Sequence, residues 1–149
     1  MIGRFERFSL AIFDISRCWH KIASDEMSNY GLKGPHSIYL IAMSRHPEGL
    51  TSGQLTDICN RDKADVSRAM AAMEQSGLVE KDLPGNRYRA RLVLTEKGKE
   101  AAHHICKRAA VAVEMAGKGM TDDQRAVFYE TLDLIAANLR VISEDGLPK

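Results

Sequence analysis

Apolar residues recur at steps of three and four along most of the chain, which is the spacing of amphipathic helices. Between positions 5 and 30 the pattern predicts one long helix, ended by Gly31. Gly34-Pro35 then opens a second helix to about residue 46, because proline is tolerated at the first helical position. Strict alternation of apolar and polar residues, the mark of strands, occurs near residues 87–94. The pattern therefore predicts a mostly helical chain with a small β element.

Capping residues set the bounds of the next two helices. A T-x-x-Q box that begins at Thr51 predicts a helix over residues 52–59. Asp62 is placed to cap a further helix that ends at Gly77. The positions expected to face inward are Leu55, Ile58, Val66, Ala69, Met70 and Met73. Two short helices joined by a brief turn have the dimensions of a helix-turn-helix.

A β-hairpin is predicted directly after these helices, within residues 78–94 and with its turn at 83–86. In its second strand Arg87, Arg89 and Arg91 share one face, because successive side chains of a strand alternate in direction. Such a row of charges also occurs on an exposed edge strand, where it prevents pairing with another chain. Directly after a helix-turn-helix, three arginines on one face favour contact with DNA.

Two more helices complete the predicted fold. Thr95 is placed to cap one that runs to about Gly117, and a second T-x-x-Q box at Thr121 begins the last. The last helix carries a regular apolar stripe, formed by Phe128, Leu132, Ile135, Leu139 and Ile142. The first and last helices carry more apolar surface than the small central unit can cover, which indicates a partner chain.

Composition narrows the class of protein. A chain of 149 residues with 44% hydrophobic and 28% charged residues is expected to form one globular domain. Charged residues interrupt the apolar N-terminal stretch, so neither a signal peptide nor a membrane span is expected. Three cysteines without C-x-x-C spacing favour a reducing, cytoplasmic setting. The formal net charge is +1, but basic residues exceed acidic ones over residues 60–108, where a polyanion contact is expected.

The order of elements resembles the MarR family of winged helix-turn-helix transcription regulators. The stretches that carry the resemblance are Leu50-Thr51, Leu55, Asp62-Lys63-Ala64-Asp65-Val66-Ser67-Arg68, Gly77-Leu78-Val79-Glu80-Lys81 and Leu94-Thr95-Glu96-Lys97-Gly98. The resemblance implies a single domain over residues 1–149, mostly α with a β-hairpin wing. Residues 36–95 would form the DNA-binding winged helix-turn-helix, and residues 1–30 and 96–145 the dimerisation helices of a homodimer.

The implied function is sequence-specific regulation of transcription, as a repressor on a double-stranded, pseudo-palindromic operator. The residues expected to contact DNA are Thr51, Lys63, Ala64, Asp65, Ser67, Arg68, Arg87, Arg89 and Arg91. Arg68 can donate two hydrogen bonds to guanine, whereas Asp65 either accepts from cytosine or caps its helix. The family commonly has Asp-x-Arg at the wing tip, and Asn86 and Tyr88 stand there in this chain. Either Arg87 or Arg89 is therefore expected to enter the minor groove.

Regulators of this family usually release DNA when a small aromatic or anionic molecule binds between the dimerisation helices and the reading module. The residues expected to line such an effector pocket are Arg17, Trp19, His20, Ile38, Tyr39 and Met43, a set that is also typical of plain core. An alternative is a metal- or redox-responsive regulator, with Cys18, His20, His36, His103 and Cys106 as the candidate ligands or thiols. Cys18 is expected to be buried in packing. No catalytic constellation and no cofactor motif is evident, so an enzyme is not expected, and a helical scaffold that binds no DNA is the other alternative.

Overall fold

In the computed structural model, which describes residues 3–82 and 90–149, the N-terminal apolar pattern forms helix α1, Arg4–Met27. A 3₁₀ turn at Ser28–Tyr30 continues it, and Gly31 ends it with a φ of 68°. A second 3₁₀ turn at Gly34–His36 leads into α2, Ser37–Ser44. The two predicted N-terminal helices are confirmed, with 3₁₀ turns at the ends that face each other.

The predicted helix at residues 52–59 is α3, Ser52–Cys59. The capping box is formed in both directions: the Gln54 N–H donates to Thr51 Oγ1 over 3.2 Å, and the Thr51 N–H donates to Gln54 Oε1 over 2.9 Å. Asn60 follows in the left-handed region with a φ of 50°, which asparagine tolerates better than most residues. The turn of the helix-turn-helix is therefore tight.

Helix α4, Lys63–Gln75, is the second helix of this motif. Its cap is Asp62, whose Oδ1 accepts a hydrogen bond of 2.7 Å from the Asp65 N–H. Gly77 follows the helix with a φ of 74°. Both ends lie where the capping signals predict them, because a cap depends on residues within one turn of itself.

The hairpin pairs strand β1, Val79–Asp82, with strand β2, Arg91–Leu94, in antiparallel register. Leu50 adds a short third segment that the sequence pattern does not predict. Its N–H donates to the Leu92 carbonyl over 3.0 Å, and the Leu92 N–H donates back over 2.8 Å. The predicted turn at 83–86 lies outside the described residues.

Helix α5, Glu96–Ala116, begins beside the hairpin. Thr95 is its predicted cap: the Thr95 hydroxyl accepts from the Gly98 N–H over 3.0 Å and donates to the Gly77 carbonyl over 2.7 Å. A Cβ on Gly98 would lie 1.9 Å from the Leu78 carbonyl oxygen. Only glycine lets the first turn of α5 approach the start of β1 this closely.

The core lies between α2, α3, α4, the paired strands, the end of α1 and the first half of α5. Its largest fully buried side chains are Tyr39, Met27, Leu40, Leu55, Met73, Leu78, Val66 and Val79. The prediction that Ile58 is buried is wrong, because its side chain is 50% exposed. Cys59 is buried instead, since it lies one helical turn after Leu55 on the same face. The prediction that Cys18 is buried in packing is also wrong for the single chain, where it is exposed.

The chain divides into two compact units, Met1–Ala109 and Ala110–Lys149. The second contains α6, Asp122–Asp145, which begins at the predicted capping box of Thr121. Arg125 Nη1 lies 3.3 Å from Glu114 Oε2, so an ion pair joins the start of α6 to the end of α5. Every residue of α6 is exposed or half-buried, including the predicted apolar stripe.

Candidate nucleic-acid interface

The outer face of α4 carries most of the residues expected to contact DNA. Lys63, Ala64, Ser67 and Arg68 are exposed on its first two turns, and the Arg68 side chain is 71% exposed. Val66, Ala69 and Met70 on the opposite face are buried. This division follows from helical periodicity, since residues three and four apart share a face. The helix therefore presents two cationic side chains and one hydroxyl on the outer face of its first two turns.

Asp65 lies between these two faces, and its partner is a residue that sequence reasoning did not connect with it. The Tyr39 hydroxyl on α2 donates a hydrogen bond to Asp65 Oδ2. Asp65 Oδ1 lies 3.9 Å from Arg68 Nη2. Burial of the phenol, followed by this hydrogen bond, raises the pKa of Tyr39 well above its ordinary value. Tyr39 is thus a permanent donor to the Asp65 carboxylate.

Thr51 begins α3 and is half-buried. Its Oγ1 accepts from the Gln54 N–H, and an accepting hydroxyl still has a proton to donate. Arg91, in the first position of β2, is exposed, while its neighbour Leu92 is buried. The alternation predicted for this strand is therefore observed at these two residues. Arg87 and Arg89 lie outside the described residues.

A small cavity of about 150 Å³ opens between α1, α2 and α5, in the first unit. Its lining is mostly apolar: Trp19, Ile22, Ala23, Met27, Ile38, Ile41, Ile105 and Ala109, with Ser37, Glu26 and Arg108 as the polar members. Arg108 Nε donates to Glu26 Oε1 over 2.7 Å, and His104 Nε2 lies 3.5 Å from Glu26 Oε2. The cavity thus has one charged edge on an apolar wall.

Comparison with known proteins fits this arrangement. A sequence model of the MarR family matches residues 30–87. An uncharacterized HTH-type transcriptional regulator of Bacillus subtilis, YybA, is 24% identical over 84% of this chain and 83% of its own. Over residues 30–87 the chain is thus similar to the MarR family of transcriptional regulators.

Solved structures show the same fold over nearly the full length. A MarR transcriptional regulator from Methanosarcina mazei superposes with a TM-score of 0.80 at 23% identity, over 95% of this chain and 94% of the other. A Listeria monocytogenes protein assigned to the MarR family, crystallised in complex with a 26mer DNA, superposes with a TM-score of 0.79 at 23% identity. That match covers 100% of this chain and 99% of the other. The predicted fold class, mostly α with a two-stranded wing, is confirmed.

The six residues expected to line an effector pocket do not lie together. Trp19 and Ile38 line the cavity described above. Tyr39 and Met43 are buried in the core, and Arg17 pairs with Asp14 over 3.0 Å on an exposed face of α1. His20 is also exposed. The cation at the cavity is Arg108, which sequence reasoning missed although α5 places it three residues after Ile105.

The candidate metal ligands are also spread over the molecule. Cys18 and His20 are exposed on α1, and Cys106 lies on α5 beside a second, more polar cleft with His103. His36 precedes α2, where its Nδ1 is buried. Within residues 3–82 and 90–149, no group of three or more His, Cys, Asp or Glu residues is placed to hold a metal ion.

A helix needs about 20 mostly apolar residues to cross a bilayer. In the part of the chain that the structure describes, no helix is both long enough and apolar enough to cross a membrane.

Proposed function

We propose that the protein is a homodimeric regulator that binds double-stranded DNA in a sequence-specific way, with α4 as the recognition helix. The observation that carries this proposal is the outer face of α4, where Lys63, Ser67 and Arg68 are exposed while Val66 and Ala69 are buried. An α-helix that presents such residues from its N-terminal end fits the major groove. The Listeria protein of the same fold, crystallised with DNA, supports this reading.

Each contact has a distinct role in this proposal. Arg68 donates two hydrogen bonds to O6 and N7 of a guanine, which supplies sequence preference. The Ser67 hydroxyl forms a hydrogen bond with a base or a phosphate. Lys63 and Thr51 contact phosphates, as do the wing residues Arg91 and, from the sequence, Arg87 and Arg89. Phosphate contacts set affinity and register and carry no base information.

The dimer follows from apolar surface that the single chain leaves exposed. Phe5, Phe8 and Phe13 are exposed on α1, and Phe128, Leu132 and Leu139 are at least 40% exposed on α6. Such surface is costly in water unless a partner covers it. A two-fold dimer presents two recognition helices, so the operator is pseudo-palindromic, with half-sites about one helical turn apart.

A mobility-shift titration with the DNA upstream of the protein's own gene tests this function. The dimer is expected to retard that fragment and to resist competition by an excess of random duplex. Equal competition by both DNAs, or no retarded band at low salt, would instead favour a helical scaffold without a DNA partner.

We further propose that the protein is a repressor and that a small aromatic acid releases it from DNA by entering the cavity between α1, α2 and α5. A cavity of this volume accommodates about one aromatic ring. A ligand carboxylate would compete with Glu26 for Arg108, whose guanidinium suits a bidentate carboxylate contact.

Benzoate is a suitable first probe, because Trp19 is the only tryptophan of the chain and lines the cavity. On addition of benzoate, a saturable change in tryptophan fluorescence is expected, together with weaker retardation of the operator fragment. Arg108→Gln is expected to weaken both responses, whereas Arg17→Gln, which changes an arginine away from the cavity, is expected to leave them intact. A fluorescence response unaffected by Arg108→Gln would place the ligand elsewhere.

A further inference from the structure

One hydrogen bond joins the buried core to the helix proposed to read DNA. Tyr39 lies in the first turn of α2 and is fully buried, and its hydroxyl donates to Asp65 Oδ2 in the first turn of α4. A buried tyrosine hydroxyl needs a partner, because leaving it unsatisfied is costly. Asp65 supplies that partner from a position 26 residues further along the chain.

Asp65 is held from two sides. Its N–H donates to the cap residue Asp62 over 2.7 Å, and its Oδ2 is occupied by Tyr39. The hydrogen bond from Tyr39 therefore restrains the orientation of the carboxylate, although the Asp65 side chain remains 34% exposed. The second oxygen, Oδ1, then faces Arg68 Nη2 at 3.9 Å, one turn along the same helix.

The hydrogen bond from Tyr39 lets the Asp65 carboxylate order the Arg68 side chain at a lower entropic cost. An exposed ion pair between two mobile side chains contributes little, because both must be ordered to form it. Here one partner is already ordered by the core, so only the arginine loses freedom. A long side chain that is ordered in advance loses less entropy when it engages a base.

We propose that Tyr39 and Asp65 are positioning residues that orient Arg68 for base recognition, so that sequence preference depends on a hydroxyl in the core. The inference rests on the proposed DNA-reading function of α4. It also assigns Asp65 a role other than accepting a hydrogen bond from cytosine, since Oδ2 accepts from Tyr39 and Oδ1 lies 3.9 Å from the Arg68 guanidinium.

The test uses Tyr39→Phe, which keeps the ring in the core and removes only the hydroxyl. DNA preferred by the wild type is first selected from a randomised duplex pool. Affinities are then measured for that duplex and for a scrambled duplex of the same composition. We expect the ratio of the two affinities to fall roughly threefold to tenfold in Tyr39→Phe, because a guanine contact is weakened but not removed. Affinity for the scrambled duplex is expected to change less than twofold.

Tyr30→Phe is the matched control. It removes a hydroxyl from a half-buried tyrosine in the turn after α1, whose ring lies edge-on to His104 of α5. The affinity ratio is expected to stay within twofold of the wild type. Asp65→Asn tests the same inference, because it keeps an acceptor for Tyr39 but removes the charge beside Arg68. The ratio of the two affinities is expected to fall in this variant as well. If Tyr39→Phe does not fold, Asp65→Asn is the variant that tests the inference.

A double variant separates positioning from a general effect on folding. If Tyr39 acts through Arg68, then Tyr39→Phe combined with Arg68→Ala lowers the affinity ratio no further than Arg68→Ala alone. Additive losses would overturn the inference, and so would an unchanged ratio in Tyr39→Phe or equal losses on both duplexes.

Loss of preference at a cytosine in Asp65→Asn but not in Tyr39→Phe would make Asp65 a base reader instead. A wild type that selects no sequence would overturn the proposed function itself, and this inference with it.

Discussion

Single side chains differ in how far the sequence alone reveals their role. The caps at Thr51, Asp62 and Thr121 could be predicted because each satisfies backbone groups within one turn. The contact between Tyr39 and Asp65 could not, because it joins residues far apart in sequence. Among apolar neighbours in the sequence, Tyr39 is typical of core packing. The sequence does not show which residue its hydroxyl binds.

Arg68→Ala should reduce sequence preference more than overall affinity. Loss of a bidentate guanine contact costs about 1 to 3 kcal/mol of discrimination, while phosphate contacts persist. Fluorescence anisotropy with cognate and random duplexes measures the difference. Lys63→Ala is the matched control on the same helix face, and it should weaken both DNAs alike and lower the salt slope by about one. Equal losses for Arg68→Ala would make Arg68 a phosphate contact.

His36 should make folding stability depend on pH. Its Nδ1 is buried and, among the described residues, finds no hydrogen-bond partner. Burial lowers the pKa of His36 below its usual value of 6.5; Asp65 partly opposes this shift and Lys33 adds to it. The unfolded chain therefore takes up the proton more readily, and the free energy of unfolding falls as the pH drops below about 6.5.

Urea denaturation at pH 7.5 and at pH 5.5 checks this expectation. The wild type should lose more stability between the two values than His36→Gln, whose side chain cannot take up a proton. The same loss in both proteins would show that His36 does not contribute to the pH dependence.

The helices and strands follow local signals wherever their ends depend on local residues. The bounds of α3, α4 and α6 agree with the capping patterns. The pairing of Leu50 with β2 was missed because a single bridge has no periodicity to detect. Ile58 was misplaced because two apolar residues in a short helix compete for one inward face, and Cys59 occupies it.

Gly98→Ala should disrupt the junction between α5 and the wing. The added Cβ would lie 1.9 Å from the Leu78 carbonyl, so the helix or the strand must move. We expect thermal unfolding to show destabilisation of at least about 2 kcal/mol, in the range of overpacked cores. Gly53→Ala on α3 is the matched control, since the nearest atom to its Cβ would be 3.9 Å away. That change should be neutral or stabilising by up to about 1 kcal/mol, and equal behaviour of both variants would contradict the packing argument.

The assembled protein is expected to be a dimer because both units leave apolar residues exposed. Phe13 in α1 is 73% exposed, and α6 exposes Leu132 and Leu139. Light scattering at micromolar concentration should give twice the mass of the chain. A combined Leu132→Glu and Leu139→Glu variant should shift the protein towards the monomer, whereas Leu147→Glu, beyond the end of α6, should not. A monomeric wild type would contradict the dimer.

Sequence-specific DNA binding is the central claim, and a salt series on the wild-type dimer tests it most directly. Fluorescence anisotropy is recorded with the selected duplex and with a scrambled duplex of equal composition, from low to physiological salt. Both affinities should fall linearly with log salt, because phosphate contacts release counterions. The selected duplex should be bound at least about a thousandfold more tightly near physiological salt. Equal affinity for the two duplexes throughout the series would contradict the claim.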